Sequence, residues 1–412
     1  MPSNVHADGM DVWVVEITGL CPEPLKTRKC KKYPMLKGFR AEPEELIKML
    51  KLYTGGHMKL KKYLLEKGID ALLISDKYSL RYFTGFTGST GIALVFPDKR
   101  FFFTDFRYVE QAKAEVEPKG FTVVRVERGA VEALAEYIKN SNIKRLGIED
   151  KNVTVADYVV YQEKFGDITF VTVGTEVEKL RMIKTEEEIK NIKKAVEIGD
   201  KVFSYILNEV KEGAVEKDLA ALMELQMKKL GGEGPSFETI VASNHRSALP
   251  HGVASEKAIE KEGFVKFDFG VYYNGYVSDM TRTIYFGENP SPKHLEIYNT
   301  VLEAQLLACK AVKAGVSCSD LDKIARDYIA SKGYGELFGH GLGHGIGVYI
   351  HEHPSVNGKS DVILEEGMVI TIEPGIYVEG FGGVRIEDDV VVRKEYGEIL
   401  NKTAKELMMI KG

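Results

Sequence analysis

The sequence predicts an α/β domain followed by a larger α+β domain, both preceded by a short stretch of different character. Three observations carry this reading. Strand and helix signals alternate from residue 58 to about 176, the pattern of a layered α/β unit. A capping box at Thr185-Glu186-Glu187-Glu188 opens a long amphipathic helix and with it a second domain, 177–412. Beyond that helix, two β-rich runs meet at Asn274-Gly275, the strongest short hairpin signal. The 412 residues are 44% hydrophobic and 28% charged, ample material for two or three cores.

Residues 1–57 read differently from the rest. They hold the single tryptophan, Trp13, two of the four cysteines, Cys21 and Cys30, and a basic stretch from Lys26 to Lys32. Thr54-Gly55-Gly56-His57-Met58 can be encoded by a string containing AGGAGGT, a ribosome-binding sequence, just before ATG, and Gly-His-Met is also a common cloning remnant. The working protein is therefore expected to start at Met58, with 1–57 a non-native or mis-assigned extension.

From Met58, Leu60, Tyr63, Leu64 and Leu65 give a short amphipathic helix stopped by Gly68. Strands are expected at Ile69–Ile74, Ile92–Phe96, Arg100–Thr104 and Arg145–Ile148, with helices near Tyr108–Val116 and Val131–Ile138. Gly85, Gly88 and Gly91 match neither a P-loop nor a dinucleotide fingerprint and read as tight turns. In the second domain, Ile189, Ile192, Val196, Phe203, Ile206, Leu207 and Val210 continue the Thr185-capped helix.

The formal net charge of −5, without a run of Lys and Arg interleaved with aromatics, argues against a nucleic-acid partner. No apolar stretch of about 18 residues predicts a membrane span. The N-terminus lacks the basic and apolar regions of a secretory signal. Four cysteines without a CxxC read as free thiols in a reducing cytoplasm.

The chemistry concentrates in the second domain. With Asn274-Gly275 as a two-residue turn, Tyr273 pairs with Tyr276 and Asp268 lies opposite Thr281. Asp279 is two residues along from Thr281, so Asp268 and Asp279 share a face as diagonal neighbours. Two such carboxylates suit a pair of cations about 3.5–4 Å apart; without a cation they repel each other. In Gly339–Pro354 glycine recurs at 339, 341, 343, 345 and 347, which marks an extended segment and close approach of backbone or ligand. Four of the nine histidines fall within residues 340–353, a density that favours a metal or catalytic role. Glu373 ends an apolar run before Pro374-Gly375. Glu387 stands within another apolar run, with Arg385 on its face as the alternative partner to a metal. Asp268, Asp279, Glu373 and Glu387 with a neutral His344 balance two divalent cations, and an oxygen-rich set with one imidazole favours Mn, Co, Fe or Zn over a thiolate zinc site.

The order D-x-G, G-Y-x-S-D-x-T-R-T, H-G-x-G-H, E-P-G and R-I-E-D resembles the pita-bread metallopeptidases, in the branch of Xaa-Pro aminopeptidases and Xaa-Pro dipeptidases (prolidases). Residues 58–176 resemble the creatinase-like N-terminal domain of that branch. The resemblance implies a curved antiparallel sheet in the second domain and two divalent metal ions, Mn foremost. Asp268, Asp279, His344, Glu373 and Glu387 would be the ligands, with Asp279 and Glu387 bridging. It further implies His251 as a substrate-binding and proton-relay residue, His351 beside the prolyl residue, Arg385 as orienting residue and, more weakly, a role for His340. The implied substrates are short peptides with proline at the second position, and the implied assembly is a homodimer. The expected reaction is Xaa-Pro aminopeptidase hydrolysis by a water acidified between the metals, with Glu373 shuttling the proton. Xaa-Pro dipeptidase is the alternative. A methionine aminopeptidase or a non-enzymatic binding protein on the same scaffold is disfavoured, the first by the preceding domain and the second by the intact ligand set.

Overall fold

Apolar residues at helical spacing do produce the first helix, α1 (56–67), but it begins before Met58. His57 is buried in it, with its ring 5.6 Å from that of Phe121. Gly68 stops the helix in the left-handed region at φ 60. The computed structural model describes residues 5–7, 10–12, 56–127 and 129–411. The rest of the expected extension 1–57 lies outside them. The chain divides into two units, Met1–Met49 and Leu50–Gly412. In the first, Val5–Ala7 pairs antiparallel with Met10–Val12.

The α/β part of the second unit is a six-stranded sheet. Its strands are β1 (Ala71–Ile74), β2 (Ile92–Val95), β3 (Arg100–Asp105), β4 (Thr122–Val126), β5 (Arg145–Ile148) and β6 (Thr169–Thr172), in the order β4-β3-β2-β1-β5-β6. β1–β2 and β2–β3 are antiparallel and the other pairs parallel. Helices α2 (Lys77–Thr84), α3 (Val109–Val116), α4 (Ala130–Asn140), α5 (Val155–Phe165) and α6 (Gly174–Lys179) complete it. Alternation along β1 sends Leu72 and Ile74 into one core and Ala71 and Leu73 into the other, so the sheet is covered on both faces.

Thr185 caps α7 (Glu186–Ile206) as the sequence predicts. Its side chain accepts the Glu188 amide, and Glu188 accepts the Thr185 amide. α7 and α8 (Glu216–Lys229) lie against a four-stranded sheet of order β7-β8-β9-β17, from β7 (Ile240–Ser243), β8 (Gly263–Phe269), β9 (Met280–Phe286) and β17 (Met409–Ile410). Helices α9 (Pro292–Ala311) and α10 (Cys318–Ser331) pack on the other side. There β10 (Gly343–Gly345), β11 (Glu352–Val356), β12 (Val369–Ile372), β15 (Asp388–Val392) and β16 (Gly397–Ile399) form an antiparallel sheet of order β11-β10-β12-β15-β16. β13 (Gly375–Val378) and β14 (Gly382–Arg385) make a separate antiparallel pair. Among the described residues no helix is long and apolar enough to cross a membrane.

Candidate metal centre

The hairpin register is the one Asn274-Gly275 dictates. Both turn residues have positive φ, 50° and 76°, as a type I′ turn requires. Tyr273 pairs with Tyr276 and Asp268 with Thr281. The ladder breaks at Gly270, where a Cβ would lie 1.9 Å from the Ser278 carbonyl oxygen. Along β8, Val265, Phe267 and Phe269 join the core under α7 and α8, which turns Lys266 and Asp268 the other way.

Four of the five alternating glycines, all but Gly339, prove to be sites of close approach. A Cβ at Gly343 would lie 2.1 Å from the Thr371 carbonyl, and one at Gly345 2.3 Å from the His353 carbonyl. The extended segment is paired only at β10, where it carries His344 between two neighbouring strands. The apolar strand expected around Glu387 is in fact two strands, β14 and β15, in different sheets, and Glu387 sits at the switch between them. Its amide donates to the Thr281 carbonyl, which brings it to the Asp hairpin.

The result is a buried acidic group. Donor atoms of Asp279, His344 and Glu387 lie within 4.8 Å of one another. His344 Nε2 is 3.7 Å from Asp279 Oδ2 and 3.4 Å from Glu373 Oε1. Asp268 is turned onto Arg385, whose Nη2 contacts Asp268 Oδ2. Arg385 therefore pairs with Asp268, not with Glu387 as its parity allows; Glu387 Oε2 accepts the Thr281 hydroxyl at 2.6 Å. Arg385 also donates to Thr281 Oγ1, Tyr377 OH and the Pro250 carbonyl.

Burial, reinforced by the neighbouring carboxylates, pushes Asp279 and Glu387 well above the usual carboxylate range. Burial raises Glu373 to about 7 against the pull of Arg385. Burial lowers His344 to about 3, with His351 adding to the effect, so its imidazole is neutral and able to act as a ligand. Asp279 Oδ1 and Glu387 Oε1 are buried without a hydrogen-bond partner. Buried carboxylate oxygens are ordinarily satisfied, and here the missing partners face a neutral imidazole. The residues fit divalent cations.

Around this group, His251 and His340 line a cavity of about 420 Å3 together with Tyr377 and Leu337. His340 Nε2 is 2.8 Å from Tyr377 OH, and burial lowers the ring to about 4, with Arg385 adding to the effect. His351 packs edge-on against His344, ring centroids 4.5 Å apart.

Sequence reasoning missed several partners. Lys266 is fully buried and donates to the Leu249 and Pro250 carbonyls, beside His251; burial, with Arg385 nearby, lowers it to about 6. A lysine inside an apolar run at the same parity as Asp268 was the available signal. Asp389 accepts the Asp279 amide at 2.9 Å, and Thr371 Oγ1 accepts the His344 amide at 3.1 Å. Neither is visible without knowing which strands adjoin.

A buried group of acids with one neutral imidazole, set between largely antiparallel sheets, belongs to a metal-dependent hydrolase. Residues 190–394 match metallopeptidase family M24, and residues 57–183 match the creatinase/prolidase N-terminal domain. An Xaa-Pro dipeptidase from Pyrococcus furiosus is 42% identical over 351 residues, 85% of this chain and 98% of that protein. A solved Xaa-Pro dipeptidase from Bacillus anthracis superposes with TM-score 0.83 at 46% identity, covering 87% of this chain and 99% of that one. A solved X-Pro aminopeptidase from Thermotoga maritima gives TM-score 0.78 at 43% identity, covering 83% and 98%. The chain belongs to metallopeptidase family M24, with a creatinase-type N-terminal domain before the pita-bread domain, and it is a hydrolase.

Proposed function

We propose that the chain is an Xaa-Pro dipeptidase whose metal ligands are Asp268, Asp279, His344, Glu373 and Glu387. The observation that carries the metal dependence is the pair of unpartnered buried oxygens, Asp279 Oδ1 and Glu387 Oε1, beside neutral His344. The likeness to the Pyrococcus and Bacillus dipeptidases supports the dipeptide substrate over the longer peptides of an aminopeptidase. The Thermotoga likeness keeps Xaa-Pro aminopeptidase as the second reading.

When bound, two divalent cations supply an acidified water and polarise the scissile carbonyl; manganese is the ion proposed, on the oxygen-rich donor set. This chain's residues do the rest. Glu373 takes the proton of the attacking water and returns it to the departing proline nitrogen. His251 and His351 hold the prolyl side and donate to the developing oxyanion. Arg385 fixes Asp268 and, through Tyr377 and the Pro250 carbonyl, the wall that carries His340 and His251. Proline's fixed φ and missing N–H give that wall a rigid shape to select. The buried free thiols Cys309 and Cys318 suit a reducing compartment, and residence in the cytoplasm as a homodimer is part of the same proposal.

The test is to compare kcat/KM for Ala-Pro, Ala-Pro-Ala and a longer Ala-Pro peptide, with manganese and after chelation. The proposal expects the dipeptide to be preferred and chelation to abolish turnover. Faster cleavage of the longer peptides would move the assignment to aminopeptidase. Light scattering at micromolar concentration checks the dimer, and a fully active monomer would refute it.

A further inference from the structure

Glu352 follows His351 directly, and almost none of its side chain reaches solvent. Its carboxylate collects four donors. Oε1 accepts the amides of Val348 and Tyr349, each at 3.2 Å, and Arg181 Nε at 3.3 Å; Oε2 accepts Lys184 Nζ at 3.3 Å. The carboxylate thus closes residues 348–352 into a loop around itself, with His351 at the rim. Gly347 is the residue this arrangement demands, because a Cβ there would sit 2.4 Å from Glu352 Oε2.

The other hands on this loop come from the N-terminal domain. Arg181 also donates to Ser79 Oγ at 2.9 Å, in the first turn of α2. The preceding residue of α2, Tyr78, lays its ring 4.4 Å from that of Tyr349. Tyr272 of the catalytic hairpin completes the grip through its hydroxyl on the Val348 carbonyl, at 3.1 Å. One helix of the α/β domain therefore holds the loop by ring packing at Tyr78 and by the Ser79–Arg181–Glu352 relay. The other side of that loop packs His351 against His344.

We propose that Glu352 is a positioning residue for His351, and that Tyr78, Ser79 and Arg181 make the N-terminal domain a working part of the catalytic site. The inference rests on the reading in which His351 acts on the bound peptide. A misplacement of about 1 Å in a group that contacts the substrate lowers turnover by up to about a hundredfold, and among the described residues Glu352 is the one carboxylate that accepts from this loop's amides. A junction that only glued the two domains together would lower stability without passing through His351.

The experiment is a double-mutant cycle on the full chain, loaded with manganese and assayed on Ala-Pro. Glu352→Gln, Tyr78→Ala and His351→Ala are compared singly, and the first two again in the His351→Ala background, with kcat, KM, metal content and melting temperature read for each. Glu352→Gln and Tyr78→Ala are expected to lower kcat/KM by about tenfold or more with unchanged metal content. Once His351 is gone, each should change kcat/KM by less than about twofold, the signature of residues acting through one another. Undiminished turnover in the singles, or losses that multiply fully with that of His351→Ala, would overturn the inference. Tyr78 is half-exposed, so its cycle decides the matter should Glu352→Gln not fold. An inert His351→Ala would overturn the inference together with the role given to His351, and leave the metal centre to its own test.

Discussion

Two buried charge clusters lie side by side behind β9, and they are built on opposite principles. In one, Arg282 donates to Asp388 Oδ1 and to the carbonyls of Thr281, Glu387, Thr403 and Ala404, while Lys405 and Gln305 take Asp388 Oδ2. Burial raises the Asp388 carboxyl, but Arg282 and Lys405 outweigh it and hold the group below the usual range. In the other, Asp279 and Glu387 each keep a bare oxygen, and burial with like charge drives both upward. The balanced cluster is complete as protein. The unbalanced one is complete only with cations, and that difference separates a structural charge from a functional one more reliably than burial alone.

The largest expected break is at the unbalanced cluster. Asp279→Ala and His344→Ala should each lose bound metal and nearly all turnover while the circular dichroism spectrum stays that of the parent. Elemental analysis giving an unchanged metal content in both would remove these residues from the ligand set. At the balanced cluster, Arg282→Met should destabilise the protein by about 3–5 kcal/mol, because it leaves the buried Asp388 carboxylate with only Lys405 and Gln305 of its partners. Urea unfolding of the metal-free protein measures this, and a loss under about 1 kcal/mol would mean the cluster is not the clamp it resembles. Glu373→Gln keeps shape and one oxygen but takes no proton. Turnover should fall by at least about a hundredfold, checked as kcat at equal metal content, and near-normal kcat would end the proton-shuttle role.

The smallest effect sharpens the comparison through pH. In the metal-free protein Asp279, Glu387 and Glu373 hold protons that an unfolded carboxylate has already lost, so the native state binds more protons than the unfolded one. Stability then falls as pH rises above the usual carboxylate range, through about 7 for Glu373. Asp388 has the opposite sign, its contribution being present above the usual carboxylate range and lost as pH falls. Chelated protein should therefore melt at a higher temperature at pH 6 than at pH 8, and metal should erase the difference. A melting temperature that rises with pH in the chelated protein would show that the acids are ionised without cations.

What the sequence disclosed follows the range of the interaction. The Asp hairpin was legible because Asn274-Gly275 sets its register locally, and the α7 start because Thr185 and Glu188 cap each other within one turn. His344 stood out by histidine density. Helix α2 escaped notice because two of the four positions on its buried face, Ser79 and Thr84, are polar, so no apolar stripe shows in the sequence. Lys266, Asp389, Tyr377 and Glu352 escaped for a different reason. Their partners lie on elements far away in the chain, so their meaning is set by which strands and loops adjoin. Glu387 was found, but its surroundings were misread as one strand because the sheet changes between Arg385 and Asp388.

The placement of the donors also sets an order of events during synthesis. Asp268 and Asp279 leave the ribosome on one hairpin, and Glu387 follows about 120 residues later, on the order of ten seconds at ordinary elongation rates. His344 and Glu373 come in between, so a chain cut short before Glu387 carries every proposed ligand but the last. On the proposed assignment, the complete ligand set exists only once the chain is nearly finished, and a truncated chain lacks it.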